Sequence, residues 1–183
     1  MTTFIIILAV VALIVLWIIS VQRKLVGQDE LCKNAMSTIG VQQESRWDAL
    51  TGMVELVKSY NEHEYNTLRD VIAQRRPLNG DSTAAQVDAQ EALMSRVAAG
   101  VNVVVEKYPD LKANENYATA MNAVDKYTNL VRTSKMVYND TATRYNKLIR
   151  QIPDSFVAAM FGFSAREYLK TEERKTEMPS MKI

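Results

Sequence analysis

The sequence predicts an all-α protein: an N-terminal transmembrane helix, then an antiparallel bundle of three long helices plus one short C-terminal helix. Three observations carry this. The run from Phe4 to Val21 has Ser20 as its one polar residue. Beyond it, apolar residues recur at three- and four-residue steps, the period of a helix, rather than in alternation. Glycine and proline are few, 6 and 4 in 183 residues, which favours long helices over many short strands.

The first element is the span, residues 4–21. At about 1.5 Å per residue it is about 27 Å long, close to the ~30 Å hydrocarbon core of a bilayer. Trp17 lies near its far end, where an indole suits the headgroup level. An export signal would want a basic start and a small-residue cleavage pattern. Here the start is Met1-Thr2-Thr3, and the run is followed by Gln22-Arg23-Lys24. Cys32 follows Glu30-Leu31, without the small preceding residue that a lipid-modified cysteine needs. Arg23, Lys24 and Lys33 follow the span and no Lys or Arg precedes it. The positive-inside rule therefore expects residues 1–3 outside the cell and residues 22–168 in the cytoplasm. Membrane lipid around residues 4–21 is the first expected partner.

Composition bounds the rest. The net charge is +1, with no basic stripe to neutralise phosphates, so nucleic-acid binding is not expected. One cysteine permits no intrachain disulfide, and one histidine, His63, removes every metal site that needs two. No cofactor is expected.

The first bundle helix is expected over Gln22–Gln74, with Gly27, Gly40 and Gly52 as the weak positions that could kink it. Arg75-Arg76-Pro77-Leu78-Asn79-Gly80 stops it. A second helix begins at Ser82 or Thr83, where Thr83 and Gln86 have capping-box spacing, and ends at Pro109-Asp110. The β-branched run Val101–Val105 stays helical because the apolar spacing continues from Met94 to Tyr108. A third helix starts near Asn114 or Asn116 and stops at Pro153; a short fourth runs from Asp154 to about Phe163. Residues 169–183 read as a charged tail whose last dozen residues are expected to be disordered.

The first helix spans about 80 Å and the second about 39 Å at ~1.5 Å per residue. A returning second helix thus leaves Leu25 to Gln43 without a partner in the same chain. Yet this stretch keeps an apolar seam, Leu25, Cys32, Met36 and Ile39. The seam is expected to pair with that of another copy, giving a parallel coiled-coil stalk and a homo-oligomer. A break at Gly27 or Gly40, folding the segment onto the bundle, is the alternative.

His63-Glu64 resembles half of a zinc-protease motif, but Thr67 stands where the second histidine belongs. Cys32 reads as a seam residue rather than a nucleophile, since His63 lies about 46 Å further along the expected helix at ~1.5 Å per residue. Tyr108, Pro109, Asp110, Leu111, Lys112, Asn114 and Asn116 read as a helix-stopping and helix-capping turn. With Glu115 they offer, as a second reading, a polar docking corner at the bundle's membrane-facing end. Tyr138-Asn139 and Tyr145-Asn146 lie seven residues apart on one helix face, suited to bonding across the bundle in preference to a ligand site. Phe156, Met160, Phe161 and Phe163 form the most hydrophobic stretch after the span. They either cap the bundle end or dock a partner or a membrane surface.

Several stretches together resemble the LemA family: Tyr108-Pro109-Asp110-Leu111-Lys112-Ala113-Asn114-Glu115-Asn116, Tyr138-Asn139-Asp140, Tyr145-Asn146, Ile149-Arg150-Gln151-Ile152-Pro153 and Phe161-Gly162-Phe163. Val41-Gln42, Asp48, Val57-Lys58 and His63-Glu64 match the family's first-helix pattern. Ala49-Leu50-Thr51-Gly52-Met53 departs from it, lacking the usual proline there. The resemblance covers about residues 1–170. It implies a bacterial membrane-anchored helical bundle with a cytoplasmic C-terminal domain and no established activity. The function expected is a non-enzymatic scaffold or adaptor with protein partners. The alternative is a sensor holding a small ligand, or reading an envelope-stress signal, between helices.

Overall fold

The computed structural model describes residues 1–171. Its first helix, α1 (Thr2–Val57), is 56 residues long, about 84 Å at ~1.5 Å per residue. No proline interrupts it, and it runs straight through Gly27, Gly40 and Gly52. Its first part is long and apolar enough to cross a membrane and packs against almost nothing. From Val21 onward one face is buried at Leu25, Cys32, Met36, Ile39, Trp47, Leu50 and Val54.

The expected unbroken helix to Gln74 is corrected here. Asn61 takes an extended conformation, and its side chain accepts the Glu64 backbone N–H at 3.0 Å. This caps a separate helix, α2 (Glu62–Ile72), which doubles back and buries Tyr65 and Leu68. The linker after it descends beside α1. Gly40 makes room for it, since a Cβ there would lie 2.5 Å from the Leu78 carbonyl oxygen. Arg75 pairs with Glu44 and Asp48 of α1 and braces the descent. The linker reaches as low as Lys33, which lies against Gly80 and pairs with Asp81.

Helix α3 (Ala84–Lys107) opens with the capping box that Thr83 and Gln86 were placed to make and climbs again. Val87 joins Cys32, Met36 and Ile39, whereas Val97, Val101 and Val104 join Trp47 to Val57. The Tyr108–Asn116 turn, containing the single helical turn α4 (Pro109–Lys112), therefore sits at the end remote from the apolar run, not at its near end. The break at Asn61 adds one crossing of the bundle and reverses every later element. Helix α5 (Glu115–Arg150) has 36 residues, about 54 Å at ~1.5 Å per residue. It descends the whole bundle, from Tyr117 and Val124 in the upper cluster, past Tyr138 and Tyr145, to Leu148 against Val21 and Leu25. Short α6 (Asp154–Met160) closes the lower end with Val157 and Ala158.

The seam at Leu25, Cys32, Met36 and Ile39 is accordingly filled from within the chain. All four are at most 2% exposed, covered by α3, α5, α6 and the segment after them. Burying such side chains stabilises by about 1.5–3 kcal/mol each relative to exposure, and one chain captures it. The seam is therefore not free to build a stalk, and α1 does not break at Gly27 or Gly40. The boundary drawn at Tyr168 also shifts, because Leu169 is 3% exposed in the middle cluster. The disorder expected of the last dozen residues lies outside the described residues.

Candidate functional site

After α6 the chain turns at Gly162, whose φ of 74° lies in the left-handed region. Residues 163–171 then run back without helix along the face of α5 that carries the two Tyr-Asn pairs. The Arg166 N–H donates to Asn146 Oδ1 at 2.8 Å, and Asn146 Nδ2 donates to the Arg166 carbonyl at 2.8 Å. One turn of the pattern higher, the Leu169 N–H donates to Asn139 Oδ1 at 2.9 Å and Asn139 Nδ2 donates to the Leu169 carbonyl at 2.8 Å. Tyr138 donates its phenol to the Glu167 carbonyl at 3.1 Å.

The register has a simple cause. Seven residues of helix rise about 10.5 Å, and three residues of extended chain cover about 10 Å. Asparagines seven apart on α5 thus meet backbone groups three apart on the segment, and each amide grips one residue on both its donor and its acceptor side. The same step of three governs what points inward: half-buried Phe163, then Arg166, then buried Leu169. Arg166 reaches Asp29 of α1 through Nε at 3.0 Å and Nη2 at 2.7 Å. Burial works against the Arg166 charge, but the Asp29 hydrogen bonds and charge outweigh it and hold its pKa above the ordinary value. Burial also raises the Cys32 thiol and the Tyr138 and Tyr145 phenols. Beside the segment lies an open cavity of about 430 Å³, lined by Asp29, Asp81, Thr83, Tyr138, Tyr145 and Arg166 among others.

A second polar group ties the bundle halfway up. Glu91 of α3 accepts from Gln43 Nε2 at 2.7 Å and from Arg46 Nη1 at 2.9 Å, both on α1, and lies 3.7 Å from Lys135 Nζ of α5. Sequence reasoning missed it. The signal was present: Gln43 and Arg46 fall in the step Ile39, Gln43, Arg46, Leu50, so polar groups interrupt a buried stripe.

The other expected sites are placed as follows. Tyr138, Asn139, Tyr145 and Asn146 come together as one rail; Tyr138, Asn139 and Asn146 bond to the C-terminal segment rather than to another helix, and Tyr145 packs in the middle cluster. In the Tyr108–Asn116 turn, Leu111 is buried, the Tyr108 ring meets Tyr60 at 5.9 Å, and Asn114 accepts the Asn116 N–H at 2.8 Å. Pro109, Asp110, Lys112 and Asn116 are exposed around it. Cys32 lies in the middle cluster and His63 is exposed on α2, so the structure does not bring them together. The Phe156–Phe163 stretch divides: Phe156, Met160 and Phe161 are exposed, but Phe163 turns inward against the two lower clusters and is not part of an outward patch.

No curated protein matches the sequence. A family model described as LemA family matches residues 35–183, which include the rail, the far-end turn and most of the bundle. By that match, the chain belongs to the LemA family.

Proposed function

We propose that this protein is a single-span scaffold or adaptor of the cytoplasmic membrane, working by self-association and by holding protein partners near the bilayer. The N-terminus lies outside and the bundle in the cytoplasm. One observation carries the reading: α1 passes without a break from the exposed apolar run into the buried core. A helix built this way holds the whole bundle at a fixed height over a membrane. The flanking cations Arg23, Lys24 and Lys33 supply the orientation. Because the seam at Leu25–Ile39 is used internally, self-association runs through other faces, where Leu31 and Val41 of α1 and Met136 and Val137 of α5 are exposed. The test is the size of the full chain in mild detergent, joined to proximity labelling in cells. Discrete oligomers with cytoplasmic neighbours are expected; a monomer without recurrent neighbours overturns the reading.

The cavity beside the rail favours a second reading, a sensor in which a small polar ligand sits against Asp29, Tyr138 and Tyr145. A ligand-dependent rise in the melting temperature of a monomer would select it.

A further inference from the structure

We infer that α6 and the residues flanking it, Ile152 to Phe161, form a second membrane contact, an apolar finger that enters the boundary between lipid headgroups and acyl chains beside the span. The inference rests on reading residues 4–21 as a membrane span and goes beyond it.

The height of α6 carries the argument. Its inner residues, Val157 and Ala158, are each 2% exposed and pack with Val21 and Leu25, and Ile18 lies against the same cluster. Val21 is the last residue of the apolar run. Ile18 to Leu25 covers about 10.5 Å of helix at ~1.5 Å per residue. So α6 is level with the place where α1 leaves the hydrocarbon. Lys24, just past that exit, pairs with Asp154 at the start of α6 at 3.4 Å.

The outer residues at this level are large and apolar. Ile152 is 75% exposed, Phe156 69%, Met160 61% and Phe161 51%. Four such residues within ten positions are unlike the scattered exposed apolar residues higher up, such as Val103 and Val41. In water, large apolar side chains exposed this close together in the chain are a liability. Beside a span, at the height of Ile18 to Leu25, the surrounding medium is lipid, and interfacial apolar faces settle about 5–10 Å into this boundary.

The charges agree with a lipid occupant. Arg23, Lys24, Lys147 and Arg150 are exposed around the exit. Lys147 and Arg150 flank Leu148, which packs on Val21 and Leu25. Cations at headgroup level are drawn to anionic lipid. The one acid of α6, Asp154, is already matched by Lys24. Two contacts, span and finger, fix the rotation of the bundle about the span axis, which one helix alone leaves free.

The experiment places a nitroxide at single cysteines replacing Ile152, Phe156, Met160 and Phe161 in the full chain, reconstituted into vesicles of phosphatidylethanolamine and phosphatidylglycerol. Leu13 and Val103 serve as references inside the span and on the remote half. Native Cys32 is fully buried; mass spectrometry confirms one label per chain, with Cys32→Ala as the background if two attach. The melting curve of each variant checks that the bundle is intact. Relaxation by oxygen should exceed relaxation by a water-soluble nickel chelate at the four finger positions and at Leu13, with the reverse at Val103. Nickel dominating at the finger with Leu13 still in lipid overturns the finger alone. Low access to both reagents at the finger means protein covers it and also overturns the inference. Nickel dominating at Leu13 as well overturns the membrane-span reading itself.

Discussion

Glu91 shows what a single residue contributes. It is the shared anion for Arg46 and Lys135, which are each 8% exposed, and it also receives Gln43. Glu91→Ala leaves two buried cations without their partner. Removing one member of a buried ion pair typically costs about 3–5 kcal/mol, far above the ~1 kcal/mol centre of ordinary substitutions. Urea unfolding of Glu91→Ala is expected to show a loss of that size, with Glu91→Gln losing clearly less because it still accepts hydrogen bonds. A loss below about 1 kcal/mol would mean that solvent already screens the cluster. This group was hidden from periodicity reasoning by its own logic. Counting apolar positions along α1 passes over Gln43 and Arg46, although they occupy the same face as Ile39 and Leu50.

At the scale of elements, the C-terminal segment is held chiefly by backbone bonds to two asparagines. Asn139→Ala with Asn146→Ala removes both grips, leaving Arg166 and Leu169 N–H and C=O groups to find water. Any of these groups left buried without a partner in the docked segment costs about 1–3 kcal/mol, which favours release of the segment into water. Amide exchange should therefore rise across residues 163–171 in the double variant and stay near parent levels in α3. Unchanged protection would show that Leu169 and Arg166 suffice alone. The Tyr-Asn pairs were legible as a bonded face, but their partner was not, because an extended segment leaves no period to read. The misassigned seam has a different origin. The length of the third helix was visible between Asn114 and Pro153 and was enough to reach Leu25. What concealed this was the break at Asn61. Asn61 and Glu64 have N-cap spacing, but they sit in a helical pattern that continues across them, and missing them sent every later helix the wrong way. The Thr83 cap, by contrast, stood after a proline and an Asn-Gly turn and was read correctly.

For the whole molecule, several buried protonated groups act in concert. Burial raises the Cys32 thiol and the Tyr117, Tyr138 and Tyr145 phenols. Each is neutral when protonated, so the folded chain keeps protons that the unfolded chain has already released. Their contribution is complete below the ordinary thiol and phenol range and is lost as pH climbs through the raised folded values. Tyr168, lowered mainly by Thr143 and exposed, works weakly in the opposite sense. The melting temperature is expected to hold near neutrality and to fall above about pH 9, where thiols and then phenols ordinarily ionise. A flat profile through that range would show that these sites admit water freely.

The jointless α1 has a mechanical corollary. Past the greasy run, residues 22–57 form a stiff mast of about 54 Å at ~1.5 Å per residue. Transmembrane helices lean by about 20° on average, and they lean further when the bilayer thins. Since the mast has no elbow, such a lean would sweep its tip sideways by roughly 18 Å, from the same rise and angle. With residues 4–21 in a bilayer, as proposed above, whatever sits near the Tyr108 corner would feel bilayer thickness as a change of position.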